Sequence, residues 1–123
     1  YESCLENDLV KKHLTYMVLR EVENKSWNNW KKEDSSYTPE LFEYLKEKYP
    51  SIVNKYVFLE YEFQSQWREI KNYANAKNIA ILGDIPIYVN HNSADVWLNK
   101  NLFDLIIQER WNMYLELFQM ISL

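Results

Sequence analysis

Ile52, Tyr56, Leu59, Phe63, Trp67, Ile70 and Ala74 recur at steps of four, three, four, four, three and four residues. A strand turns every second side chain to one face, so this spacing excludes one. On a helix of 3.6 residues per turn it builds a single apolar stripe roughly six turns long. The stripe predicts a helix from about Ile52 to about Lys77, with Trp67 among its core-facing residues. A helix with so long an apolar row needs other elements to cover it, and that requirement constrains the rest of the chain.

Upstream, Leu5, Leu9, Val10, Leu14, Met17, Val18 and Val22 form a second stripe at three- and four-residue steps and predict an amphipathic helix. The polar run NKSWNNWKKEDSS then breaks the period and reads as a loop, in which Trp27 and Trp30, three apart, can cover one side of a last turn. A short helix is expected between Thr38-Pro39, a capping hydroxyl before a proline at the first helical position, and Tyr49-Pro50. Past the long helix, Asn78 suits a left-handed cap, and the apolar run IAIL follows. Four consecutive apolar residues after a long helix predict one parallel strand at 79–82, buried on both faces. The fold class is therefore α/β, mostly helical, with Gly83-Asp84 at the C-terminal end of that strand.

Composition narrows the function. Fourteen basic residues are set against eighteen acidic ones, and the five Trp and ten Tyr are not interleaved with a basic run. A nucleic-acid partner needs a concentrated cationic patch, so none is expected. No apolar run approaches the roughly 20 residues of a membrane span, so no membrane partner is expected either. Cys4 is the only cysteine and has no disulfide partner, which points to a cytoplasmic protein and an inert thiol. Gly83 is the only glycine where average usage near 7% gives about eight or nine, a shortage that suggests an incomplete domain.

The segment QWREIKNYANAKNIAILGDIPIYVNHNSADVWLNKNLF, Gln66 to Phe103, carries the specific signal. It resembles the amylomaltases, the 4-alpha-glucanotransferases, in which a helix ending QW...L..YA leads to a buried strand, GD(I/L)PIYV, SADVW and F. The matching residues are Gln66, Trp67, Tyr73 and Ala74, then Gly83 to Val89, then Ser93 to Trp97, and Phe103. Upstream, LTYMVLREVENKSWNNW is similar to the family's DYALF...(K/R)E....SW..W, so the resemblance covers most of residues 7–105. Leu9-Val10 and Lys12-His13 stand where the family usually has Trp-Leu and Asp-Tyr, and Asn92 where it is commonly acidic.

The resemblance implies a fragment of a (β/α)8 (TIM) barrel and a retaining transfer of α-1,4-glucan segments between maltodextrins or starch-derived oligosaccharides, with no cofactor. Retaining transfer needs a carboxylate nucleophile and a separate acid about 5–5.5 Å apart. The family supplies them, with a third Asp, from motifs resembling R(I/L)DHF, EDLG and THD, and none of these occurs here. The chain is therefore expected to be inactive alone, with no catalytic residue of its own. Asp84 matches an aspartate that lines the family's sugar site, which makes it a substrate-binding wall residue; in a barrel the C-terminal ends of strands form the active face. Trp97 is a second substrate-binding candidate as a stacking platform, against a core role.

Other residues have plainer readings. An Asp after Gly is commonly a turn or cap aspartate. His13 and His91 lack metal-ligand spacing and read as solvated or packed side chains, and the charges around Lys100 as a solvated face. After Leu105 the resemblance gives way to IIQERWNMYLELFQMISL, whose Ile107, Trp111, Tyr114, Phe118 and Ile121 fit an ordinary amphipathic helix. Read one nucleotide earlier, suitable synonymous codons give DNTGKMEYVSGAxPDDFS, close to the family's YV(S/A)G and PD(D/Y)FS. The expected organisation is thus a catalytic-domain fragment over 1–105 and a frameshifted tail over 106–123. The competing expectation is a small helical interaction module without enzymatic ancestry, and the GDIPIYV...SADVW string argues against it.

Overall fold

The structure is a computed structural model and describes residues 5–84 and 88–103. Cys4, the Ile85–Ile87 part of the GDIPIYV motif and the 106–123 tail lie outside the described residues. Among the described residues, four helices carry the fold: α1 (Asp8–Glu23), α2 (Pro39–Lys48), α3 (Pro50–Ala76) and α4 (Ala94–Leu98), with single 3-10 turns at Trp27–Asn29, Lys32–Asp34 and Lys100–Leu102.

Local chemistry sets the helix ends. Asn7 accepts a hydrogen bond from the Leu9 amide (2.9 Å) and Thr38 from the Leu41 amide (3.1 Å), each satisfying an N–H that the first turn leaves free. Pro39 opens α2, as the Thr38-Pro39 pair predicts, and the Tyr49-Pro50 pair ends it; Pro50 also opens α3, two residues before the expected start at Ile52. Asn24 (φ 48°) and Asn78 (φ 58°) take the left-handed conformation after α1 and α3. At Asn78 the amides of residues 78 and 79 donate back to the carbonyls of Asn75 and Ala74 (3.0 and 2.9 Å), which caps the last turn.

α1 packs against α2, α3 and α4. Because it has neighbours on several sides, it buries a wider arc than its stripe, adding Tyr16 and Leu19 to Val10, Leu14 and Val18 while Leu9 stays exposed. α2 contributes Leu41, Phe42 and Leu45, and α4 contributes Ala94, Val96 and Trp97. The loop after α1 is part of the core. Trp30 packs with Tyr16 and Trp97, ring centroids 5.5–5.8 Å apart, and each indole N–H ends on a backbone carbonyl: Trp27 on His91 (2.7 Å), Trp30 on Lys25 (2.9 Å) and Trp97 on Asp34 (3.2 Å).

Two expectations fail. The α/β fold with a buried parallel strand at 79–82, and with it the (β/α)8 barrel fragment, is not seen: the described residues are helical and contain no strand. Residues 79–84 leave α3 as an exposed irregular segment, Leu82 at 96% exposure. A parallel strand takes its hydrogen bonds from neighbouring strands, and none of the described residues provides one. The run IAIL has strand composition without a sheet to join among the described residues. The second failure is Trp67, expected in the core and 45% exposed. α3, 27 residues and about 40 Å long, buries only Val53 and Val57, with Ile52 and Tyr56 partly covered. From Phe58 onward its stripe is open, Phe63 at 65% exposure.

A polar clamp fixes the covered end of α3 to α1. Lys55 Nζ and Tyr56 Oη donate to the Glu21 carboxylate, at 2.6 and 2.7 Å. The Lys55 and Tyr56 hydrogen bonds hold the Glu21 carboxyl below its usual range; burial and the Glu21 hydrogen bond push the Tyr56 phenol up to about 12.

Two outcomes follow for folding. Truncating Trp97 removes the ring that α4 and the loop share, so Trp97→Ala should cost about 3–5 kcal/mol in urea denaturation, enough to abolish the cooperative transition of a marginal fold; a loss below about 1 kcal/mol would contradict its place in the core. Because the folded-state pKa of Glu21 is depressed, its contribution is present above the unfolded value of 4.5 and lost as pH falls through the folded value. The melting temperature of Glu21→Gln should therefore lie below that of the parent at neutral pH and converge with it in acid. Equal melting temperatures at neutral pH would show that the clamp contributes nothing.

Candidate functional site

Of the residues singled out in the sequence, Asp84 is exposed, six residues beyond the Asn78 cap. Its carboxylate makes no hydrogen bond or ion pair among the described residues, so its acceptor sites are open. Gly83 has open space where a Cβ would stand and does not adopt a positive φ, so nothing in its surroundings requires glycine. Trp97 lies in the core at 2% exposure, its ring between Tyr16 and Trp30 and its N–H on the Asp34 carbonyl. It offers no face to solvent, and no hydrogen bond or ring contact joins it to Asp84.

The SADVW segment is held in place from the loop after α1. Ser93 caps α4 by accepting from the Val96 amide (3.3 Å), and Ser26 Oγ donates to Asn92 Oδ1, so the amide takes the acceptor role that a carboxylate would fill at this position. His91 stacks on the Trp27 indole with centroids 4.9 Å apart, which is the packed role expected for a histidine without metal partners; His13 is exposed. Lys100 departs from the solvated face expected around it. Its ammonium sits 4.9 Å from the Trp27 ring centroid and donates to the Ser35 carbonyl, and burial lowers its pKa. Trp27 thus contacts both an imidazole and an ammonium, which ties residues 91–100 to residues 26–35.

One charged residue escaped the sequence reading. Asp34, 8% exposed, lies in a cavity of about 510 Å³ between α1, the loop and α2. Its carboxylate makes no hydrogen bond or ion pair among the described residues. Burial raises its pKa, helped by the Glu23 and Glu33 carboxylates and opposed by the Lys31 and Lys48 ammoniums, all four of which line the same cavity. No sequence spacing marks Asp34, because Glu33 and Asp34 in WKKEDSS look alike until the 3-10 turn buries one and exposes the other. Among the described residues, no group of three or more His, Cys, Asp or Glu side chains is placed to hold a metal ion, and no helix is long and apolar enough to cross a membrane.

Comparison with known proteins supplies the context for the GDIPIYV and SADVW segments. Residues 3–109 match the sequence profile of the 4-alpha-glucanotransferase family. The chain is similar to the 4-alpha-glucanotransferase of Clostridium butyricum, 49% identical over 78 residues, which cover 63% of this chain and 16% of the relative. It is 37% identical over 101 residues to the Synechocystis enzyme, covering 81% of this chain and 20% of the relative, and 33% identical over 108 residues to that of Aquifex aeolicus, covering 82% and 22%. The chain therefore spans 16–22% of the length of these relatives. A helical module without enzymatic ancestry does not account for a match of this length, and the chain belongs to the 4-alpha-glucanotransferase family.

Proposed function

We propose that this chain is a segment of a longer 4-alpha-glucanotransferase, an enzyme that moves α-1,4-glucan segments between maltodextrins by a retaining mechanism. The observation that carries the reading is the match over residues 3–109 to that family, joined to a structure whose longest helix leaves its apolar stripe open. Phe63, Trp67, Ile70 and Tyr73 form the face that the segment presents to the rest of such an enzyme, where burial would stabilise each large side chain by about 1.5–3 kcal/mol. Asp84 is the substrate-facing residue of this reading. A carboxylate with its acceptor sites unfilled takes hydrogen bonds from sugar hydroxyls without giving up an internal partner. Trp97 acts from the core, fixing α4 beside the loop.

Transfer with retention requires the nucleophile and acid that the sequence lacks, so in this reading the segment binds and positions while residues elsewhere in the enzyme react. The lone cysteine suits a reducing, cytoplasmic setting. Residues 106–123 are, on the same reading, an out-of-frame translation of the family's continuing sequence. The source DNA should then encode YV(S/A)G and PD(D/Y)FS one nucleotide earlier, and unrelated codons or a stop in that frame would refute it.

Grafting tests the function. With the matching 78 residues of the Clostridium butyricum relative replaced by those of this chain, the chimera should convert maltotriose to glucose and longer maltodextrins, whereas the 123-residue chain alone should not. In the chimera, Asp84→Asn should lower kcat/KM by about 100-fold, as loss of a hydrogen-bond acceptor to bound sugar does, with the melting temperature unchanged. A folded but inactive chimera, or an Asp84→Asn chimera with full activity, would contradict the proposal.

A further inference from the structure

We propose that Asn92 is a site of spontaneous deamidation, promoted by the Ser26 hydroxyl that donates to its side-chain oxygen. The chemistry is independent of the transferase reading. It belongs to the joint between the loop after α1 and the segment that leads into α4.

Deamidation begins when the backbone nitrogen of the next residue attacks the asparagine Cγ. It therefore needs a free amide, a small successor and a backbone outside a helix. Among the described residues outside the helices, Asn92 is the one asparagine followed by a residue as small as serine. Asn75 precedes Ala76 but lies in α3, where the helical ladder occupies the amide that would attack. Asn92 is exposed, and the Ser93 N–H has no acceptor among the described residues. The Asn92 amide donates to Asn90 Oδ1 at 2.8 Å, which fixes the turn on that side. Ser26 then supplies what an oxyanion donor supplies: negative charge that develops on Oδ1 as the ring closes meets a hydroxyl already in place. Nucleophile and carbonyl belong to adjacent residues, so no encounter is required.

The Ser93 N–H proton passes to hydroxide and the new N–Cγ bond closes a succinimide ring. The Cγ–Nδ2 bond breaks, and the amide nitrogen leaves as ammonia with a proton from water. A second water opens the ring. Cleavage of the Cγ–N bond leaves aspartate at position 92, to which Ser26 can still donate. Cleavage at the backbone carbonyl leaves isoaspartate, with one extra methylene in the main chain. That insertion falls between the Trp27 bond to the His91 carbonyl (2.7 Å) and the Ser93 cap on Val96 (3.3 Å). Either product takes the formal net charge from -4 to -5.

The 123-residue chain, held in mildly alkaline buffer, should accumulate a more acidic form on ion exchange. Peptide mapping by mass spectrometry should place aspartate and isoaspartate at position 92 ahead of every other described asparagine. The rate at Asn92 should be higher by about fivefold or more in the folded chain than in urea, since only the fold brings Ser26 to the amide. Ser26→Ala should bring the folded rate down toward the urea rate, Ser26→Thr should keep it high, and neither should change the rate in urea. Asn92→Gln should abolish the acidic form, and the isoaspartate fraction should melt below the parent. Slower reaction at Asn92 in the folded chain than in urea, a rate unchanged or raised in Ser26→Ala, or an acidic form that persists in Asn92→Gln would overturn the proposal.

Discussion

Three indoles hold this structure together, because each buries its ring while its N–H ends on the backbone of a neighbouring loop. A tryptophan placed in a core without a hydrogen-bond partner would lose part of what its burial gains. Trp27, Trp30 and Trp97 avoid that loss by bonding to the carbonyls of His91, Lys25 and Asp34. The bonds from Trp27 and Trp97 span more than sixty residues of sequence and close the chain between the loop after α1 and the segment around α4. α4 is a five-residue helix, too short to persist alone, and its position depends on these contacts.

Much of the local structure was legible because it follows from nearest-neighbour chemistry. Thr38 with Pro39 marks where α2 begins, Tyr49-Pro50 where it ends and Asn78 where the chain turns left-handed, and each does so through groups within a few residues. What was not legible depends on partners far along the chain or outside it. The α3 stripe reads the same whether it is covered or open, and here only its first two turns meet α1 and α2. IAIL reads as a buried strand, yet a strand is a property of the sheet it joins, and residues 79–82 have no neighbour among the described residues. Trp27 and Trp30 sit in a polar run without period, so their burial shows only once the 3-10 turns fold them beneath Tyr16 and Trp97.

The candidate site divides along the same line. Asp84 was singled out by the motif around it, and the structure leaves it exposed. Trp97 lies near it in the same stretch of sequence but is enclosed in the core. Asp34 belongs to no pattern, and only the fold distinguishes it from Glu33 beside it. The uncovered row of α3 is where the structure carries an unmet apolar demand.

α3 thus divides in two: a first part anchored by Val53, Val57 and the Glu21 clamp, and a remainder whose apolar row is exposed. Native-state amide hydrogen exchange on the 123-residue chain measures that division residue by residue. The account predicts that amides around Val53–Val57 exchange as slowly as those of Leu14–Leu19 in α1, while amides from Phe63 to Tyr73 exchange much faster through local opening. Uniform slow exchange along the whole of α3 would contradict it, because the far half would then have to be covered in the chain by itself.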